Sequence, residues 1–310
     1  MTKKISVQVE KLGEYVGHKG SLYALAVDEQ GGSLFSSGDD GIVARWNLNG
    51  AWDEGEALLT SPRAIYSLTH LSTHQILAAG SSEGILYLYH LEKKELIHSL
   101  QLGAGAIFDI QEDTQQQILW VLQGKGLLSA IQLPTMELMG QTQVSTEHLR
   151  AMVRGNTSWF IGSSDQHIHH WDSGEKKVKN RWMAHDSSVF SLHIHPNGHQ
   201  LLSGGRDAHL KVWNIEQEAR LEKSLPAHMF TINDICFSPD QQYFLTASRD
   251  KTIKLWDGQT FDLLKVIDGP RNHGHKHSVN KLLWLTADNS VLSCSDDRRL
   301  IRWRLTIEHV

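Results

Sequence analysis

The chain has 310 residues, 40% hydrophobic and 21% charged, with 6 prolines and 2 cysteines. That composition excludes a disordered chain or a disulfide framework and is enough for a sizeable core. A formal net charge of −5 and a pI near 6.4 argue against nucleic acid as a direct ligand. The amino-terminal residues Met1 to Val7 carry no apolar leader core and no later apolar run could span a bilayer, so the expectation is a soluble, cytoplasmic protein without a membrane partner.

In chain order, a lone predicted strand, Ile5 to Val9, comes first. Seven similar units follow, each with three short apolar runs separated by turn residues. Their first strands open at Leu22, Ile65, Ile107, Leu149, Val189, Ile232 and Val279. Their second strands end in small residues, as in Ser36-Ser37-Gly38 and Ala247-Ser248, which suit close packing between sheets. The third strands close on Trp46, Tyr89, Ile131, Trp171, Trp213, Trp256 and Trp303, in steps of 43, 42, 40, 42, 43 and 47 residues. A fixed period of this size with several strands per period predicts an all-β fold: a single seven-bladed β-propeller of four-stranded antiparallel blades spanning residues 1–310.

The last unit stops after its third strand, so the lone strand Ile5 to Val9 is expected to close the seventh blade. The long final step is read as an exposed loop inserted around Gly269–Gly274. Cys236 and Cys294 fall inside predicted strands and read as buried structural thiols.

Four units repeat one polar set: His18, Ser36, Asp40 and Trp46; His185, Ser203, Asp207 and Trp213; His228, Thr246, Asp250 and Trp256; His275, Ser293, Asp297 and Trp303. A histidine can donate to the Asp from one ring nitrogen and accept the hydroxyl proton at the other, while the hydroxyl accepts from the indole. Four copies on repeat spacing point to a structural network, because a catalytic triad occurs once per site. Gly17-His18, Gly274-His275, Trp171-Asp172 and Trp256-Asp257, with near-matches at Ala184-His185, Ala227-His228, Trp46-Asn47 and Trp213-Asn214, make the whole chain resemble the WD-repeat β-propeller family. The resemblance implies such a hydrogen-bond network in the blades and a rigid platform for protein partners. The second to fourth units depart from the pattern. The second has Glu83 and Tyr89, the third Lys125 and Ile131, and the fourth Ile161 and Ser145 at the hydroxyl and histidine positions. These three blades are expected to rely on apolar packing.

The same resemblance places three rings of side chains around the central opening. The first strands open on Tyr23, Tyr66, Phe108, Arg150, Phe190, Asn233 and Asn280. Two residues earlier stand Ser21, Ala64, Ala106, His148, Ser188, Thr231 and Ser278. Before the turn Asp stand Asp39, Ser82, Gly124, Ser164, Arg206, Arg249 and Asp296. Aromatic and arginine side chains are favoured interface anchors. The candidate partner-binding face is therefore Tyr23, Tyr66, Phe108, Arg150, Phe190, Arg206, Thr231, Asn233, Arg249 and Asn280. Within it, Arg206 and Arg249 are suited to gripping a carboxylate, and an aromatic cage for a cationic side chain remains open.

His167, His169, His193 and His195, with the loop histidines His273 and His277, have metal-ligand chemistry. With no acid or thiol fixed beside them, they read more simply as exposed strand and loop residues, and no metal or cofactor is expected. His170 stands at an inward position held elsewhere by Val212 and Leu255 and needs a buried partner. Gly124-Lys125-Gly126 is a strand turn without the spacing of a phosphate loop. The sequence reading is a non-enzymatic scaffold presenting a loop face to a partner protein or peptide, with a place in a larger complex left open. The alternative is a metal-dependent, hydrolase-like propeller enzyme using Asp39, Asp109 or Asp296 at the channel.

Overall fold

Alternating apolar and polar residues, broken every six or seven positions by turns, leave each strand two faces to bury. The computed structural model describes residues 5–309 apart from 51, 53, 104, 157, 217 and 218, so Met1 to Lys4 of the leader expectation lie outside the described residues. The described residues form seven four-stranded antiparallel sheets. Blade one runs outward from Leu22–Asp28 through Ser33–Gly38 and Ile42–Asn47 to Gly55–Thr60, and blades two to six repeat this order. Blade seven takes Val279–Trp284, Ser290–Ser295 and Leu300–His309 from the carboxyl end, and its outer strand is Ile5–Tyr15 from the amino end. No helix among the described residues is long and apolar enough to cross a membrane.

The closing strand is longer than the sequence suggests. Glu10 to Tyr15 pair with Arg304 to Leu300, the part of the third strand that also pairs with Ser290 to Cys294. The segment expected to close the blade, Ile5 to Val9, pairs with Leu305 to His309 beyond that point, and Val7, Val9 and Ile307 pack on the core between blades six and seven. The charged run Glu10-Lys11 and the glycine at Gly13 hid the second half of this strand.

The core lies between blades. Leu202, Leu210 and Val212 of blade five pack on Ile232, Phe244 and Trp256 of blade six, and the same arrangement recurs around the ring. Each fully buried large apolar side chain contributes about 1.5–3 kcal/mol, and both faces of a blade gain it only between two neighbours. The insertion in blade seven is one α-helical turn, Gly269–Asn272, with the Asp268 side chain accepting from Arg271 N. Pro270, Arg271 and His273 are exposed, but Gly274 and His275 are buried, so only part of the segment is the exposed loop expected.

Four blades carry the polar chain in full. In blade six, His228 Nδ1 lies 2.8 Å from Asp250 Oδ2, His228 Nε2 lies 2.7 Å from Thr246 Oγ1, and Trp256 Nε1 donates to that oxygen over 2.9 Å. Blades one, five and seven repeat it through His18, His185 and His275. With the proton on Nδ1, every member is satisfied. Each Asp also accepts the backbone N–H two residues on, as Asp250 does from Thr252, so one carboxylate ties the turn and orients the imidazole.

Blades three and four do not rely on apolar packing alone. In blade four the buried His169 of the third strand reaches Asp165 over 3.1 Å, Ser145 donates to the same carboxylate over 2.6 Å, and Ser163 donates to Ser145. In blade three Ser129 donates to Gln123, and Gln141 donates to Ser129 over 2.9 Å. The Trp171 indole N–H, lacking its hydroxyl, is buried without a partner among the described residues and meets Trp120 edge-on at 6.0 Å.

Two outcomes follow from this network. Thr246→Val keeps the side-chain shape but leaves the His228 ring nitrogen and the Trp256 indole unpaired. Its denaturant midpoint should fall by the equivalent of roughly 2–4 kcal/mol, since a buried unpaired polar group costs about 1–3 kcal/mol; an unchanged midpoint would remove the hydroxyl from the stability of the blade. The second outcome concerns pH. Burial penalises the Asp207 carboxylate, but hydrogen bonds from His185 and two backbone amides outweigh it and hold the pKa to about 2. Asp207 therefore stabilises the fold above its unfolded pKa near ~3.9 and loses that contribution as pH falls through the folded value. Burial lowers His185 and His228 below 6.5, so their contribution is present above the unfolded pKa and fades as pH falls through the lowered values. Urea midpoints should decline from about pH 6.5 and steepen below about pH 4; a midpoint flat across that range contradicts the neutral-imidazole assignment.

Candidate functional site

Every inner strand carries a β-bulge near its start. Pairing with the second strand skips Tyr23, Tyr66, Phe108, Arg150, Phe190, Asn233 and Asn280 in blades one to seven. A bulge leaves one residue out of the ladder and re-aims its side chain, and all seven of these side chains line one central cavity of about 800 Å3. The turn residue of each blade closes the ring by donating its backbone N–H to the residue two before the bulge, from Asp39 N to Ser21 O at 2.8 Å through Asp296 N to Ser278 O at 3.0 Å.

The bulge residues form a continuous aromatic arc. Tyr23 meets Tyr66 edge-on at 5.1 Å, and Tyr66 stacks on Phe108 at 5.9 Å. The Arg150 guanidinium lies 4.2 Å from the Phe108 ring centre and 5.0 Å from that of Phe190, with its Nε donating to Ser164 over 2.8 Å. Burial, with Arg206 nearby, lowers the Arg150 pKa to about 10. The other arc is amide. Asn233 donates to Val279 O and Ser278 of blade seven, and Asn280 donates to Leu22 O of blade one and to Asp296. These two asparagines staple neighbouring blades as well as lining the cavity.

Arg206 and Arg249 are exposed at the turns of blades five and six and form no ion pair among the described residues. Thr231 is 6% exposed and does not present its side chain. Its predecessors do: Met229 is 82% exposed and Phe230 56%, although the sequence reading passed over both. A register comparison would have found them. After the network histidine the other blades have Lys19-Gly20, Asp186-Ser187 and Lys276-His277, and only blade six has an apolar pair.

Deeper in the channel, the residues after the bulges are Ala24, Ser67, Asp109, Ala151, Ser191, Asp234 and Lys281. Four are small, and three charged groups therefore meet where the other blades leave space. Lys281 donates to Asp234 over 3.0 Å, and Asp234 accepts from Leu282 N over 2.9 Å. Burial opposes the charge on Lys281, but Asp234 and Asp109 reverse the effect and raise its pKa. Asp109 accepts from Met152 N, Ile110 N and Gln111 and titrates above the usual carboxylate range because of its burial.

The candidate channel acids do not act together. Asp109 is held by three donors, Asp296 is bound by Asn280 over 2.7 Å, and Asp39 is exposed. No set of three His, Cys, Asp or Glu side chains among the described residues converges for a metal ion. The histidine pairs are less exposed than expected: His169 and His195 are buried, and His195 Nε2 lies 2.7 Å from Gly258 O. His170 has its partner in Ser158, at 2.8 Å, and stacks on Phe160. Both cysteines are free; Cys294 is buried and Cys236 half-buried.

A closed ring of seven four-stranded blades, four of them carrying a His–hydroxyl–Asp–Trp chain, defines a WD-repeat propeller. Residues 9–47, 176–214, 219–257 and 269–304 match the WD domain, G-beta repeat. The chain is 24% identical over 287 residues to striatin from Homo sapiens, an alignment covering 82% of this chain and 36% of striatin. It is 23% identical over 297 residues to striatin-3 from Mus musculus, covering 82% and 35%. Nuclear distribution protein PAC1 from Candida albicans is 35% identical over 122 residues, covering 38% of this chain and 24% of PAC1. The chain belongs to the WD-repeat family, whose propellers generally serve as platforms for protein interaction, and it spans about a third of the length of the striatins it matches.

Lys281→Met should destabilise the fold, because Asp234 then keeps its charge in the channel wall without its ammonium partner. Removing one partner of a buried pair costs about 3–5 kcal/mol. Lys281 is 41% exposed to the channel, so a loss of roughly 1–3 kcal/mol in a denaturant titration is expected. Pairing the change with Asp234→Asn should restore part of the loss, and a double variant no more stable than the single one would count against the ion pair.

Proposed function

We propose that residues 1–310 act as one non-enzymatic interaction scaffold whose channel-opening face takes a partner protein or peptide. The observation that carries this is the convergence of seven bulge residues on one opening. Folding alone gives no reason to leave Tyr23, Tyr66, Phe108 and Phe190 half-exposed around a cavity of about 800 Å3. The exposed Met229 and Phe230 extend the apolar surface outward over blade six, and Arg206 and Arg249 supply charge without internal partners. Aromatic side chains and arginines at a rimmed concave surface are the composition of an interface anchor.

The mechanism is presentation. The bulges are fixed by ladder pairing on both sides, so the anchors are held before a partner arrives, which lowers the ordering cost of binding. The unpaired cysteines favour a reducing compartment such as the cytoplasm. The immobilised full chain should retain its partner from extract of the source cells. Tyr66→Ala should reduce recovery at least fivefold, while the outer-strand change Lys177→Ala should leave it unaltered. Equal recovery with Tyr66→Ala, or loss with Lys177→Ala, would move the partner surface away from the opening.

A further inference from the structure

The opening is not electrically uniform. Arg150, Arg206 and Arg249 stand on blades four, five and six, while Asp39 and Asp296 stand on blades one and seven. Neither Arg150 nor Arg206 forms an ion pair among the described residues. Arg150 is also fixed in orientation. Phe108 and Phe190 flank its guanidinium, and Ser164 takes its Nε proton. The terminal N–H groups at the edge of the guanidinium plane make no hydrogen bond among the described residues.

We infer that the opening is a carboxylate receptor built on the free edge of Arg150 with Arg206 beside it, taking an acidic side chain that adjoins an apolar one. The inference rests on the partner-binding reading above and names the chemistry that the face selects. A planar guanidinium presents parallel N–H donors that match a carboxylate in two-point fashion. Arg150 already takes a face of Phe108 and of Phe190, so an incoming ammonium or guanidinium would meet a fixed positive charge beside the rings that remain, which disfavours a cationic cage. Arg206 adds a second positive charge near Arg150, neither has an ion pair among the described residues, and a bound anion relieves that repulsion. The anion is held at the mouth and not deeper, because the channel wall below carries Asp109 and Asp234 against the single ammonium of Lys281. Tyr66 and Tyr23, continuing the arc from Phe108, receive the apolar neighbour.

The test uses three small probes on the isotope-labelled full chain, read by amide chemical shifts of the inner strands. They are hydrocinnamate, its neutral amide hydrocinnamamide, and the cation phenethylamine. A ligand of this size is expected to bind in the low millimolar range at ordinary ligand efficiency. Hydrocinnamate should shift residues around Phe108, Arg150 and Phe190, with the amide and the cation at least tenfold weaker. Arg150→Gln should weaken hydrocinnamate about tenfold by removing the two-point contact, and Arg206→Ser about threefold by removing the neighbouring positive charge. Arg206 is exposed, so its variant remains informative if Arg150→Gln fails to fold. Equal binding of phenethylamine and hydrocinnamate, or wild-type affinity in Arg206→Ser together with any folded Arg150→Gln, would overturn the inference. If the carboxylate preference is absent but Tyr66→Ala still loses its partner, only the carboxylate assignment falls. If the preference is present and Tyr66→Ala changes nothing in recovery, the scaffold reading of this face falls instead.

Discussion

A four-stranded sheet with two apolar faces cannot stand alone in water, and the pairing of Ile5–Tyr15 with Leu300–His309 is what allows seven of them to stand together. Each blade buries one face on the blade before it and one on the blade after. An open ring would leave two faces and two strand edges unsatisfied. The clasp joins the two ends of the chain through ten paired positions, with one irregularity between Lys11 and Gly13. That irregularity occurs where Trp52 packs against Gly13 so closely that a Cβ there would come within 2.5 Å of the indole. The closing strand and the first blade are thus fitted to each other by shape as well as by hydrogen bonds.

Once the ring is closed, the inner strands converge on the axis, and the seven bulges turn that geometry into a surface. A regular strand would keep these residues in the ladder, packed as their paired neighbours Ala24, Ser67, Ala151 and Ser191 are. The bulge frees one residue per blade from that packing. In blades one, five, six and seven the polar chain keeps the turn above the bulge fixed: the same Asp that accepts from the histidine ties the turn, and the turn donates its backbone N–H to the strand opening. Structural and presenting residues are therefore neighbours in sequence but have separate tasks.

The architecture was legible because it repeats. A register seen once at Trp256 could be checked six more times, and the tryptophan, hydroxyl and histidine positions reinforced one another. What the repeat hid was substitution within it. His169 looked like one of an exposed pair because the network histidine is expected before the first strand, yet in blade four a third-strand imidazole reaches the same carboxylate from the other side. Gln123 and Gln141 in blade three belong to no repeat pattern and could be found only from coordinates. The opening was legible as a set of positions, since the bulge recurs at one offset. Its internal geometry was not: nothing in the spacing says that Arg150 would lie between Phe108 and Phe190, or that the amides of Asn233 and Asn280 would be spent on adjacent blades.

The contrast between the two arcs follows from what each bulge residue can reach. An asparagine is short, so Asn233 and Asn280 find the neighbouring carbonyl at 2.8 and 2.7 Å and are satisfied within the ring. Arginine and the aromatic residues are too long for that role and project inward, where they satisfy one another by stacking. These contacts cover faces of Phe108, Phe190 and the guanidinium, while the terminal N–H groups of Arg150 make no hydrogen bond among the described residues. Blades six and seven therefore contribute a wall whose amides are hydrogen-bonded within the ring, and blades one to five contribute an aromatic and guanidinium arc lining the cavity. The asymmetry of the opening comes from side-chain length at seven equivalent positions of an otherwise regular ring.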